Sequence, residues 1–194
     1  PHRIGVVMAA TGLRAHGADM AALGLATSFV ESAKLPALAE ALEAPGDTDA
    51  ILARFASEPP PSKLLAEAVL TDKAFAQADI ASIEAALSAD GSDFARRLLD
   101  MIATKSPTSL AIALKQMQLG AALSFEDAMR LEFRIVTRIC RGHDFYEGVR
   151  ATIVEKDNRP HWRPAAGERP EPRDIDAYFA PLDGDELALP GDAA

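Results

Sequence analysis

The 194-residue sequence has a single cysteine, Cys140, and a single tryptophan, Trp162. One thiol rules out an intramolecular disulfide and a cysteine-rich metal site. It suits a reducing compartment, so the cytoplasm is the expected location. Basic charge is also short. Twenty Lys and Arg against 29 Asp and Glu give a formal net charge of −9, which argues against a nucleic-acid or anionic-membrane surface as the main partner. A local basic pocket for one anionic ligand stays open. No apolar run reaches the length of a membrane span, and no signal-peptide pattern opens the chain. Strand-like alternation is almost missing; only residues 25–30 read as a short extended piece.

What remains is helical periodicity, so the expected fold is mainly α. Hydrophobic residues make up 48% and charged residues 25% of a chain long enough to bury a real core. Ile4, Val7 and Met8 share a helical face from the first residues with no capping side chain before them. Either the first helix is short and frayed, or residue 1 was not the original start. In the second case this face and part of residues 125–140 are expected to be exposed, or covered by self-association. Further helices are expected over residues 18–23, stopped by Gly24, and over 35–42 and 50–56. The run Pro59-Pro60-Pro61-Ser62 blocks helix and reads as a linker. It separates a first region, 1–58, from a helical region, 62–160, with an arm over 161–194. Ile80, Ile83 and Leu87 form one face, and Phe94, Leu98 and Ile102 another. Ser106 before Pro107 marks a helix start whose inner face is Leu110, Leu114 and Met117. Ser124 with Asp127 resembles a capping box. Ile175, Tyr178 and Phe179 anchor the arm by a short helical turn.

Residues 125–140 carry an apolar arc wider than an ordinary surface helix needs, roughly 100°. Glu132 falls inside it and is expected to be buried and paired, as an uncompensated buried carboxylate costs several kcal/mol. Cys140 on the same arc reads as a buried small hydrophobe. The next stretch, RGHDFYEGVRATIVEKDNRPHW over residues 141–162, is dense in ionisable groups and holds two of the four histidines. Local physics accounts for much of it. Asp144 with Glu147 reads as a capping-box-like helix start, with Phe145, Val149 and Ile153 as its apolar face. Gly148 costs helix propensity and implies close packing there. His143 and His161 are too isolated to mark a metal site. Lys156, one turn beyond the apolar face, is either a solvated lysine, the commoner case, or a contact for a phosphate.

This stretch resembles the C-terminal signature of the crotonase (enoyl-CoA hydratase/isomerase) superfamily, in which D-x-x-E-G is followed by an E-K-R-x-P-x-F-like ending. The longer spacing here, EGVRA then EKD then P-x-W, is similar to the 3-hydroxyisobutyryl-CoA hydrolase branch. Residues 11–38, TGLRAHGADMAALGLATSFVESAKLPAL, resemble the T-G-x-R and A-T-x-x-V segment of the superfamily. LSADGSDFA at 87–95 and KSPTSLAIALKQM at 105–117 are similar to the hydrolase branch. The resemblance covers about residues 1–180. It implies the helical C-terminal part of a crotonase-like ββα spiral fold, with the spiral core absent from these residues. The oxyanion-hole region, P-E-T-x-x-G and P-D-V-G-G motifs of the family do not occur in the sequence, so no catalytic residue is assigned. The resemblance further implies an acyl-CoA substrate, no separate cofactor, and subunit contacts of a homo-oligomer. Lys156 matches the position of a lysine that approaches the CoA phosphates or adenine, with one extra residue before it in this branch. The implied activity is thioester hydrolysis in valine breakdown. A hydratase or isomerase on the same scaffold stays open, as does an inactive helical binding module for the isolated chain.

Overall fold

In a computed structural model, residues 3–190 are described. Eleven α-helices are present among them and no strand: α1 (Ile4–Thr11), α2 (Gly17–Ala22), α3 (Leu35–Glu43), α4 (Thr48–Phe55), α5 (Ala68–Ala74), α6 (Ile80–Asp90), α7 (Asp93–Ala103), α8 (Pro107–Gly120), α9 (Phe125–Ile139), α10 (His143–Val149) and α11 (Pro172–Phe179). The mainly α expectation holds. Residues 25–30 are irregular backbone and pair with no strand. No helix among the described residues is long and apolar enough to cross a membrane.

Local signals set the helix ends. Asp79, Ser92, Ser106 and Ser124 each accept a hydrogen bond from a first-turn N–H, at 2.8, 3.2, 3.1 and 3.1 Å, which satisfies a donor that the helix itself leaves open. Gly91 closes α6 with φ 67° and donates its N–H to Leu87, a left-handed cap that a Cβ would disfavour.

The main core joins α1, α5, α6, α7 and α8 through Ile4, Val7, Ala74, Ile83, Leu87, Leu98, Ile102, Leu110 and Leu114, with Phe75 just past α5. Ile4 is 1% and Val7 0% exposed, so the exposure expected for the first helical face is corrected. α1 lies across α8 and touches α5 and α7, which supply enough apolar surface to bury it. A second cluster uses the opposite face of α8: Ile112 meets Leu131 and Ile135 of α9 and Ile175 and Phe179 of α11. The arm anchor is thus a two-turn helix, longer than the turn expected. Arg138 fastens its end by donating to the carbonyls of Tyr178 and Pro181 at 3.2 and 2.9 Å.

The proline-rich run is pinned as well. Ser62 Oγ and Leu64 N donate to Asp19 Oδ1 at 2.7 and 3.1 Å, and His16 N donates to Oδ2 at 3.0 Å. Burial alone raises the Asp19 carboxyl, but these three hydrogen bonds outweigh it and hold the group below the ordinary carboxylate range.

Four sequence readings of helix faces need correction. On α9 only Leu131 and Ile135 are buried, whereas Phe125 is 75% exposed and Met129 and Val136 are exposed too. Contact with α8 and α11 covers one strip of the wide arc. Glu132 accordingly lies in solvent and takes a hydrogen bond from the Gln116 amide instead of an arginine. Cys140 is exposed at the helix end. Met117 is also exposed, because Leu110 and Leu114 already fill the inner face of α8.

Candidate functional site

The sequence signature folds as one clamp. α10 is preceded by Gly142, which takes the cap position with extended backbone and no side-chain cap bond. Asp144 is therefore not the cap, and its expected bond to the Glu147 N–H is corrected. Its carboxylate instead joins three separate segments. Ser106, the cap of α8, donates to Oδ2 at 2.5 Å; Arg163 N donates to Oδ1 at 2.8 Å; and His143 Nδ1 lies 3.0 Å from Oδ1.

Glu147 does not reach back to a cap either. It accepts a two-pronged bond from Arg150, at 2.9 and 2.7 Å, and a 2.6 Å bond from His161 N. Between these two carboxylates the returning chain at 161–163 is fastened to α10. Trp162 finishes the contact: its indole N–H donates to Thr104 O at 3.1 Å. A Cβ on Gly148 would stand 3.3 Å from the Trp162 ring, so the glycine is the close-packing point that its poor helix propensity suggested. Phe145 and Ile153, expected on an apolar inner face, are exposed, because Trp162 and the returning chain occupy the inner side near Gly148.

Beyond Val149 the helix widens into a π-helical turn, Arg150–Val154, and the chain then reverses. Lys156 sits on this reversal with φ 57° and is exposed. It is not among the side chains lining a cleft of about 290 Å³, which include Ser106, His143, Asp144, Trp162 and Tyr178. In that cleft burial pushes the Tyr178 phenol up, and the nearby Asp144 and Asp174 charges add to it.

The Arg150 hydrogen bonds hold the Glu147 carboxyl down at about 2, against 4.5 ordinarily, and the His161 N–H reinforces the shift. Asp157 is lowered by Arg150 in the same direction. A depressed carboxylate stabilises the folded clamp above its unfolded value and ceases to do so as pH falls through the folded one. Closure of the clamp is therefore expected to weaken between pH 4.5 and about 2. Emission from Trp162, the only tryptophan, should shift to the red across that window. In Glu147→Gln this acid-dependent component should be gone; identical profiles for the two proteins would show that Glu147 does not close the clamp.

Sequence reasoning singled out Lys156, Asp144, Glu147 and Gly148 but passed over Arg150, the hub of the polar network. The Glu147–Arg150 spacing of three, one helical turn, was the available signal. The bond between Ser106 and Asp144 spans residues too far apart for any local pattern to reveal.

A two-faced helical bundle whose terminal segment is locked by a D-x-x-E-G clamp defines the class. The model of the enoyl-CoA hydratase/isomerase family matches residues 1–179, and the chain belongs to that family. It is 37% identical to the mitochondrial 3-hydroxyisobutyryl-CoA hydrolase of Gallus gallus, over 96% of this chain and 51% of that protein. The corresponding Homo sapiens protein is 34% identical over 95% of this chain and 50% of its own length. Among solved structures, a carnitinyl-CoA dehydratase from Mycobacterium thermoresistibile superposes with a TM-score of 0.89 at 37% identity, covering 99% of this chain and 55% of that one. An enoyl-CoA hydratase from Rhodobacter sphaeroides gives 0.83 at 34% identity, covering 97% and 55%. The chain spans about half the length of the curated relatives it matches.

Proposed function

We propose that this chain is the C-terminal portion of an acyl-CoA thioester hydrolase acting on 3-hydroxyisobutyryl-CoA, with Lys156 meeting a phosphate of the coenzyme. The supporting observation is the 37% identity to a 3-hydroxyisobutyryl-CoA hydrolase along 96% of the chain, which takes in the whole clamp. In such a reaction a carboxylate and an oxyanion hole act on the thioester carbonyl. The family's motifs for both do not occur in these residues. The contribution of this chain is to hold the coenzyme end of the substrate: an exposed ammonium is a compact charge suited to a phosphate, and the clamp fixes where it stands. A hydratase is the second reading, favoured by the likeness to a solved enoyl-CoA hydratase and a solved carnitinyl-CoA dehydratase.

The product separates the two readings. The protein encoded by the full reading frame that contains this chain should release free CoA thiol from 3-hydroxyisobutyryl-CoA and leave crotonyl-CoA unhydrated. Hydration of crotonyl-CoA without thiol release would replace the hydrolase reading by the hydratase one.

A further inference from the structure

The backbone around Lys156 is unusual twice over. Lys156 and Asn158, neither of them glycine, have φ of 57° and 53°, in the left-handed region that a Cβ disfavours. Immediately before them Glu155 N donates to Arg150 O at 2.8 Å, closing the π-helical turn. A turn bonded over five residues holds one more than an α-turn. It therefore absorbs the additional residue that the EGVRA-to-EKD spacing carries, without displacing the helix before it.

Such a reversal persists only where its surroundings fix it, and the group that does so is Arg150. Its guanidinium donates to Glu147 at 2.7 Å on the helix side. On the other side it donates to Asp157 at 2.7 Å, to the Arg159 carbonyl at 3.0 Å and to Glu155. Asn158 N adds a bond to Ala151 O at 3.0 Å. Glu155 and Asp157 are the two immediate neighbours of Lys156. Unbound, they would compete for its ammonium and repel an incoming anion. Arg150 binds both carboxylates, and among the described residues the Lys156 ammonium enters no ion pair.

We infer that Arg150 is a positioning residue: by gripping both acids that flank Lys156 it fixes the left-handed reversal and leaves that ammonium free for a phosphate group of the substrate. This rests on the reading of Lys156 as a coenzyme contact. The planar fork is required, because one ammonium cannot serve four acceptors arranged around it.

The test titrates adenosine 3′,5′-bisphosphate into the chain while NMR reports affinity and the backbone angles of residues 156 and 158. Arg150→Lys, which keeps the charge, should weaken binding by about tenfold, the size of one misplaced charge-assisted contact. It should also average out the positive φ at both positions while shift dispersion elsewhere is retained. In the Lys156→Met background the same change should cost nothing further, since Arg150 acts through Lys156. Adding Asn158→Gly, which takes positive φ unaided, to Arg150→Lys should recover part of the lost affinity. An equal loss in both Lys156 backgrounds, or positive φ retained in Arg150→Lys, would overturn the positioning role alone. No binding by the unsubstituted chain, or unchanged binding by Lys156→Met, would remove the coenzyme contact itself and the inference with it.

Discussion

Leu98→Ala is expected to lower the unfolding free energy by about 3–4 kcal/mol, near the middle of the range for a fully buried leucine. Leu98 is 0% exposed on the inner face of α7, in a cluster that also holds Ile83, Leu87 and Ile102. Truncation removes the apolar burial and leaves a cavity that the close-packed helices around it cannot fully close. For a chain of this size the midpoint should fall by about 6–16 °C, at 2–4 °C per kcal/mol. Val136→Ala on α9 is the control. Val136 is 44% exposed, so its truncation should stay within about 0.5 kcal/mol. Thermal unfolding followed by circular dichroism measures both. Comparable losses at the two sites would mean that the α9 face is covered in solution, by a second copy of the chain or otherwise.

That contrast also marks where the sequence stops being readable. α7 and α9 both show a strong apolar stripe, and each periodicity gives a helix with the right face. Periodicity reports which residues can be buried together; it does not report how much surface the neighbouring elements cover. For α7 the neighbours are α1 and α6, and Leu98 and Ile102 of the stripe are buried. For α9 they are α8 and α11, and the rest of the arc, from Phe125 to Val136, stays in solvent. Glu132 was misplaced for the same reason. The caps were legible because a cap is a bond over two or three residues: Ser106 and Ser124 both appear where expected.

The candidate site divides along the same line. Gly148 was legible as a packing point, since a glycine inside an apolar helical pattern carries a cost that something must offset. Asp144 and Glu147 looked like a local capping box and are tertiary fasteners instead, bonded to Ser106, Arg163, Arg150 and His161. A carboxylate near a helix start serves a cap and a distant segment with the same chemistry, and only the path of the returning chain decides between them. That path is set by the π-helical turn and the two left-handed residues after it, Lys156 and Asn158. Of these only Asn158 carries a propensity signal, since asparagine tolerates the left-handed region better than most residues with a Cβ.

The 194-residue chain by itself is expected to release no thiol from 3-hydroxyisobutyryl-CoA and to hydrate no crotonyl-CoA above the buffer rate. Its most suggestive constellation is the row Ser106, Asp144 and His143, which lines a cleft beside Trp162 and Tyr178. The row has the three residue types of a nucleophilic triad in the wrong order. In a working triad the imidazole stands between hydroxyl and carboxylate, so that it can take the hydroxyl proton and the carboxylate can hold its tautomer. Here Asp144 stands in the middle: Ser106 Oγ bonds to one carboxylate oxygen at 2.5 Å and His143 Nδ1 to the other at 3.0 Å. Ser106 Oγ also accepts the Ser109 N–H as the cap of α8, which ties it to the backbone. The remaining well-placed acids are equally engaged, Glu147 by Arg150 and His161 N, and Asp19 by three donors from two segments. Glu147, held near 2, is in addition far too acidic to serve as a proton acceptor at neutral pH. Ser106→Ala should therefore cost stability through the lost cap and change no rate. Thiol-release and hydration assays on the purified chain, with the full-frame protein as positive control, check the expectation. Turnover that follows the 194-residue species through size-exclusion chromatography and vanishes in Ser106→Ala would establish the row as a catalytic centre and overturn it.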